Sequence, residues 1–251
     1  MSNISKAFEN KKALGAFITA GDGGIDLCEE ILIKMAQGGC DFIVLGIPFS
    51  DPIAEDPIVQ SANIRSLENG IYTDEVFGIV KKVTDKIDVP VVLKSYLNVF
   101  FKYGYERFLE NAKQSGVSAI LVPDMPFEEQ QELETVSNNY DIEVISTFTS
   151  NSGNRIEMIA KNAKGFICEF VSEKDKNDDN GIINSIKIAK ENAEIPVVCS
   201  LDATNKNEVL KYMQFADGVI IDTELVRIIE KSKNDAPTEI FEFIKNIKNS
   251  I

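Results

Sequence analysis

LGIPFSDPIAEDP, residues 45–57, joins the end of an apolar run to a loop rich in acidic and hydroxyl side chains. The run from Phe42 to Leu45 has the length and composition of a buried strand, and Gly46 and Pro48 end it. The polar residues of the loop are Ser50, Asp51, Glu55 and Asp56. In a barrel of alternating strands and helices, functional residues lie in the loops after the strands. The segment therefore predicts a strand followed by a functional loop.

The rest of the chain repeats this alternation of short apolar runs and longer amphipathic stretches. The predicted strands are Leu14–Thr19, Phe42–Leu45, Val89–Leu93, Ala119–Val122, Glu143–Ser146, Gly165–Cys168, Pro196–Cys199 and Gly218–Ile221. The predicted helices lie near residues 25–37, 57–69, 74–85, 104–114, 127–138, 153–162, 182–191, 205–214 and 237–249. Strands separated by helices of this length indicate a parallel α/β sheet. We predict one (β/α)8 TIM-barrel domain over residues 1–251 with an extra N-terminal helix; an open doubly wound sheet is the alternative.

Composition narrows the classes of function. The 251 residues include 40 acidic and 26 basic side chains, so the net charge is −14, which disfavours nucleic acid and anionic membranes as partners. The chain has no histidine, which removes His-based catalysis and His-ligated metal sites. Its four cysteines lack metal-ligand spacing. The polar stretch at residues 1–12 lacks the apolar core expected of a signal peptide, and no apolar run approaches ~20 residues. We expect a cytoplasmic protein without a metal site.

Four segments together resemble one known family across nearly the whole chain. They are AFITAGDGG (16–24), GCDFIVLGIPFSDPIAEDPIVQSANIRSLENG (39–70), SYLNVFFKYG (95–104) and ILVPDMPFEE (120–129). They resemble the tryptophan synthase alpha subunit. The resemblance implies a TIM barrel that cleaves indole-3-glycerol phosphate, by a retro-aldol reaction, to indole and glyceraldehyde 3-phosphate in tryptophan biosynthesis. It also implies docking on a pyridoxal-phosphate beta subunit that receives the indole, with no cofactor held by the alpha subunit itself.

The resemblance implies catalytic residues, and one of them is replaced. The family acid that holds the indole N–H falls on Glu55, which fits. The strand-two carboxylate that shuttles the proton falls on Val44, which cannot carry one. General acid–base catalysis typically contributes ~10²–10⁴ in rate. We therefore expect a catalytically impaired or inactive member of the family.

Other family positions have also changed. A substrate-facing tyrosine on strand six falls on Cys168 or Glu169, and the polar stretch 172–180, a predicted mobile loop, lacks the family's Gly-Val-Thr-Gly motif. The phosphate-binding glycines after strands seven and eight are replaced by Ser200-Leu201-Asp202 and Asp222-Thr223. Two like charges ~4 Å apart repel by about 4 kcal/mol at an effective dielectric of 20. We expect this end of the barrel to reject a phosphorylated substrate.

The remaining candidate residues would surround a small molecule at the barrel mouth. Those that match substrate-binding family positions are Phe17, Tyr96, Asn98 and Asp124. Lys94 replaces an apolar family residue, and its ammonium could pair with Glu55, Asp202 or Asp222.

Three functions remain open on the sequence alone. In the first, the chain is a partner of a beta subunit, with Pro48 and Asp51 in the partner loop and the helix carrying Asn63 and Arg65 in the same surface. In the second, it is a TIM-barrel enzyme or binding protein of altered specificity, in which Lys94 and several carboxylates take a cationic substrate or a divalent cation, or Lys94 forms a Schiff base. In the third, Glu169 or Asp56 replaces the missing proton shuttle.

Overall fold

The computed structural model describes residues 3–9, 12–171 and 178–251. Eight parallel strands pair in chain order, and the eighth pairs with the first to close a barrel. The strands are β1 Ala13–Thr19, β2 Phe42–Gly46, β3 Val91–Lys94, β4 Val117–Leu121, β5 Glu143–Phe148, β6 Ile167–Phe170, β7 Val197–Leu201 and β8 Gly218–Ile221. The predicted TIM barrel is thus confirmed, and the open sheet is wrong. Apolar runs form these strands because a parallel barrel strand is buried on both faces.

Helices surround the barrel and cover its outer face. They are α1 Ile25–Gly38, α2 Pro57–Glu68, α3 Thr73–Thr84, α4 Leu97–Tyr103, α5 Tyr105–Ser115, α6 Gln131–Ser137, α7 Arg155–Asn162, α8 Asp179–Asn192, α9 Lys206–Met213, α10 Thr223–Ser232 and α11 Ala236–Lys248. Each of the nine predicted helices overlaps one of these. The prediction missed α4 and α10. The extra N-terminal helix is a 3-10 helix over Asn3–Phe8.

The bottom of the barrel is closed by aromatic packing. Phe8, from the N-terminal 3-10 helix, packs against Phe42 and Phe166 with ring centroids 5.7 and 5.6 Å apart. Gly15 makes room for this cluster, because a Cβ at this position would lie 2.4 Å from Cζ of Phe42. The N-terminal segment therefore seals the end of the barrel opposite the loops that follow the strands.

Alternation along each strand separates the barrel interior from the layer under the helices. Val44, Val92 and Cys168 belong to the interior cluster. Residues such as Leu45, Leu93 and Cys199 pack instead under the helices. At the mouth, this alternation directs Phe17 and Lys94 inward, since Lys94 lies two residues after Val92 on the same strand.

Over the described ranges, none of the helices is long and apolar enough to cross a membrane. Residues 172–177 of the predicted mobile loop lie outside the described residues.

Candidate functional site

A buried ion pair lies at the centre of the barrel mouth. Nζ of Lys94, the last residue of β3, is 2.7 Å from Oε1 of Glu55, and the two side chains are only 6% and 12% exposed. The ammonium lies over two aromatic rings, 4.7 Å from the centroid of Phe17 and 4.9 Å from that of Phe170. Of the three pairings predicted for Lys94, the structure contains the one with Glu55.

The loop between β2 and α2, residues 47–56, is held by hydrogen bonds and ring stacking near its start and its end. The backbone N–H of Phe49 donates to Oδ1 of Asn63 at 2.9 Å, and the Phe49 ring stacks on Tyr96 with centroids 5.1 Å apart. The Tyr96 hydroxyl in turn accepts the N–H of Ala54 at 2.9 Å. Tyr96 therefore fixes the loop that places Glu55 over the barrel.

Asp56 ends this loop and begins α2. Its Oδ1 accepts the N–H groups of Ile58 at 2.7 Å and Val59 at 3.2 Å, as an N-cap does. Its Oδ2 accepts the hydroxyl of Thr223 from the start of α10. Because both carboxylate oxygens are engaged in positioning helices, Asp56 is poorly placed to replace the missing proton shuttle.

The β2 position at which the resemblance implies a proton shuttle holds a buried apolar side chain. Val44 is 1% exposed, pairs in register with Phe17 and packs in the barrel interior. On β6, Cys168 also faces the interior, and burial raises the pKa of its thiol. Glu169 points to the opposite side, where the hydroxyl of Ser185 on α8 donates to it. Glu169 is therefore turned away from the mouth, which leaves it poorly placed to act as a replacement shuttle.

Carboxylates lie at the ends of β7 and β8, as the sequence predicted. Asp222 accepts the Ser200 hydroxyl at 3.0 Å and the Thr223 N–H at 2.7 Å, so it occupies one amide at the start of α10. Burial raises the pKa of Asp222 to about 6, although the nearby Lys94 ammonium opposes the shift. Asp202 lies 4.0 Å from a guanidinium nitrogen of Arg227. This end of the barrel carries negative charge where a phosphate would need donors.

An open cleft of about 600 Å³ lies beside the ion pair, within the range of small-molecule sites. Its acidic lining residues are Glu55, Asp56, Asp124, Asp202 and Asp222. Arg155 also lines it and binds Glu128 with Nη2 at 2.5 Å from the carboxylate. Beneath the cleft, a chamber bordered by Phe17, Glu55 and Lys94 measures only about 10 Å³, room for about one water molecule. The ion pair therefore fills the inner part of the mouth.

The family model for the tryptophan synthase alpha chain matches residues 4–250. The chain belongs to the tryptophan synthase alpha chain family. It is 33% identical to the tryptophan synthase alpha chain of Lacticaseibacillus casei, over 100% of this chain and 96% of that protein. It is 32% identical to the alpha chain of Caldanaerobacter subterraneus subsp. tengcongensis, over 99% of each chain.

Solved structures of this family have the same fold. Tryptophan synthase subunit alpha of Legionella pneumophila superimposes with a TM-score of 0.89 at 28% identity, over 100% of this chain and 98% of that one. A chain from the tryptophan synthase α2β2 complex of Pyrococcus furiosus gives a TM-score of 0.87 at 26% identity, over 95% and 98% of the two chains. The resemblance inferred from the sequence is thus confirmed.

The other residues that resemble tryptophan synthase alpha chain positions are spread around the mouth. Tyr96 borders the inner chamber, and Asp124 borders the cleft while accepting the N–H of Leu97 at 2.8 Å. Asn98 is exposed on α4 and is not among the lining residues that the structure describes. In the predicted partner loop, Pro48 is buried, whereas Asp51 is exposed and accepts the Ser50 hydroxyl.

Phe170 is a residue of the site that the sequence did not predict in this tryptophan synthase alpha chain family member. Phe170 contributes a ring under the Lys94 ammonium and also lines the cleft. The alternation of Phe166, Cys168 and Phe170 could have identified it, because residues two apart on a strand share a face. The predicted strand ended at Cys168 and so left Phe170 outside.

Proposed function

We propose that this chain is the alpha-type partner of a tryptophan synthase beta subunit and has little or no ability to cleave indole-3-glycerol phosphate by itself. The observation that carries this proposal is the state of the family's two acidic positions. Val44 supplies no carboxylate, and Glu55 is bound to Lys94 at 2.7 Å. Among the described residues around the inner chamber, Glu55 is the sole carboxylate.

The family reaction needs proton transfer at the indole ring and the glycerol hydroxyl, as the resemblance implies. Val44 cannot take part, and a Glu55 engaged by an ammonium is less able to hold the developing positive charge of an indole ring. Asp202 and Asp222 line the cleft where the family binds phosphate, and they disfavour a dianion. The loss of the proton carrier and the loss of phosphate attraction both lower the expected rate of cleavage.

A partner role is supported by family membership and by an exposed apolar side chain. The Pyrococcus furiosus relative is part of an α2β2 complex. Ile53 in the β2–α2 loop is 84% exposed in this chain, next to Asp51 and at the mouth of the barrel. Burial of this side chain in an interface would remove its apolar surface from water. We include a cytoplasmic location and a single domain over residues 1–251 in the proposal.

The Schiff-base form of the alternative function is less well supported. A lysine must be a free amine to attack a carbonyl, whereas Glu55 and the faces of Phe17 and Phe170 all stabilise an ammonium. Within the described ranges, no three Cys, Asp or Glu side chains converge to hold a divalent cation.

Two assays test the proposal. The first measures indole release from indole-3-glycerol phosphate by the purified chain, with and without a beta subunit, and we expect no release above background. The second measures tryptophan formation from serine and indole by the beta subunit, and we expect the chain to change this rate. Indole release at the rate of the Lacticaseibacillus casei alpha chain would refute the impaired chemistry. An unchanged beta rate, with no co-migration on a sizing column, would refute the partnership.

A matched pair of variants locates the contact. Ile53→Ser removes the exposed apolar side chain of the β2–α2 loop, and we expect it to weaken the effect on the beta subunit. Ile251→Ser makes the same change after α11, away from the loop, where Ile251 is 41% exposed, and serves as the control. Equal effects of the two substitutions would argue against docking through the loop.

A further inference from the structure

The contacts of Lys94 have the composition of a site for an organic cation. A carboxylate lies 2.7 Å from its nitrogen, and two ring centroids lie within 5 Å of it. Carboxylates and aromatic faces within ~6 Å are the groups by which proteins bind alkylammonium ligands. These groups come from β1, β6 and the β2–α2 loop, so three separate parts of the barrel mouth surround one charge.

Lys94 also touches both ends of the β2–α2 loop. Its carbonyl accepts the N–H of Ile47, the first loop residue, at 2.8 Å. Its ammonium holds Glu55, the penultimate loop residue, whose carbonyl accepts Nε2 of Gln60 on α2 at 2.8 Å. Lys94 therefore connects the barrel wall to both ends of the segment that crosses its mouth, through its backbone at one end and its side chain at the other.

We propose that Lys94 is a built-in ligand: its ammonium occupies an organic-cation site formed by Glu55, Phe17 and Phe170, and thereby holds the β2–α2 loop in place without an external molecule. The nearly filled inner chamber, about 10 Å³, fits an occupied site. In such an arrangement the β2–α2 loop is ordered by a side chain of the protein and needs no bound ligand. A small molecule that binds in the inner part of the mouth must first displace Lys94 from Glu55.

Lys94→Ala tests this directly, because it removes the three outer methylenes and the ammonium, a fragment equivalent to n-propylammonium. Unpairing a buried Glu55 should lower Tm by on the order of 10 °C. We expect n-propylammonium chloride to raise the Tm of this variant, and to leave wild type unchanged. 1-Propanol, of similar shape but uncharged, should raise it much less, with sodium chloride used to match the ionic strength.

Loop order is read separately by hydrogen exchange at the Ala54 amide, which donates to Tyr96. In Lys94→Met, which keeps the apolar stem but loses the charge, this amide should exchange roughly ten- to a hundredfold faster than in wild type. Lys81→Met is the matched control, because Lys81 forms an exposed pair with Asp85 at 3.0 Å. Its Tm should change by about 2 °C or less, with unchanged exchange at Ala54.

The melting and exchange measurements decide the proposal. Selective rescue of Lys94→Ala by n-propylammonium, together with faster exchange in Lys94→Met, supports the built-in ligand. Absence of any rescue in a folded Lys94→Ala variant, or wild-type exchange at Ala54 in Lys94→Met, overturns it. If Lys94→Ala does not fold, exchange in Lys94→Met decides alone. All measurements use the chain by itself, so they do not depend on whether a beta subunit binds.

Discussion

Replacing Asp222 by asparagine should change how the stability of the protein depends on pH. Burial raises the pKa of this carboxyl from 3.8 to about 6, against the opposing effects of Lys94, the Thr223 N–H and the Ser200 hydroxyl; the negative charge of Glu55 raises it further. The folded state therefore binds this proton more tightly than the unfolded chain. Asparagine keeps an oxygen for the Thr223 amide and carries no charge at any pH.

The sign and size follow from linkage. Below pH 3.8 the carboxyl is protonated in both states, and above about pH 6 it is charged in both, at the expense of the folded state. Stability of the wild type should thus fall as pH rises through this window, by up to about 3 kcal/mol at ~1.4 kcal/mol per pKa unit. The isoelectric point near 4.6 makes pH 5–8 the practical range. About half of the change, ~1.5 kcal/mol, lies within it.

Urea unfolding of wild type and Asp222→Asn at pH 5, 6, 7 and 8, at constant ionic strength, measures the difference. We expect the variant to gain about 1.5 kcal/mol relative to wild type between pH 5 and 8. Asp222→Ser, another uncharged N-cap, should give the same pH dependence, which assigns the titration to the carboxyl group. A difference that stays constant within ~0.5 kcal/mol over this range would refute the desolvation of Asp222.

Three further substitutions probe the site and the barrel. Val44→Glu alone should not produce indole release from indole-3-glycerol phosphate, because the carboxylates at the ends of β7 and β8 still repel phosphate; robust release would show that this repulsion is overestimated. Arg65→Ala should lower the free energy of unfolding by ~3 kcal/mol in urea titrations, since it unpairs Asp22, 2% exposed and held by Arg65 at 2.8 Å; a loss below ~1 kcal/mol would contradict this. Gly15→Ala should lower Tm through a clash with the Phe42 ring, by the equivalent of ~1–3 kcal/mol, and an unchanged Tm would show that the ring can move aside.

Strand positions were predictable because burial on both faces leaves a strong signal in the sequence. β8 matches its predicted bounds, Gly218–Ile221, and β1 differs by one residue. The helix α10 was missed although its own pattern indicates an amphipathic helix, with Leu225, Val226 and Ile229 spaced to share one buried face. In the folded chain, α10 packs against β1 and α2.

The residues of the site were only partly predictable for a similar reason. Lys94 was recognisable as a charge at the end of a strand and Glu55 by the family resemblance, and the sequence left three partners open for Lys94. For the substrate-facing position on strand six, the sequence left both Cys168 and Glu169 open. The alternation of β6 places Cys168 inside the barrel and Glu169 against α8. A one-residue difference in register exchanges the two faces of a strand. Which of the two residues faces the interior therefore could not be decided without the neighbouring strands.

The sequence by itself determined the barrel, the absence of histidine and the valine at position 44, because these depend on residue type and on periodicity along the chain. Only the tertiary structure decided that the Lys94 ammonium meets Glu55 and lies between the rings of Phe17 and Phe170. These groups are far apart in the chain, and closure of the barrel brings them together. Contact between such distant residues depends on strand register and loop placement, which no local stretch of sequence specifies.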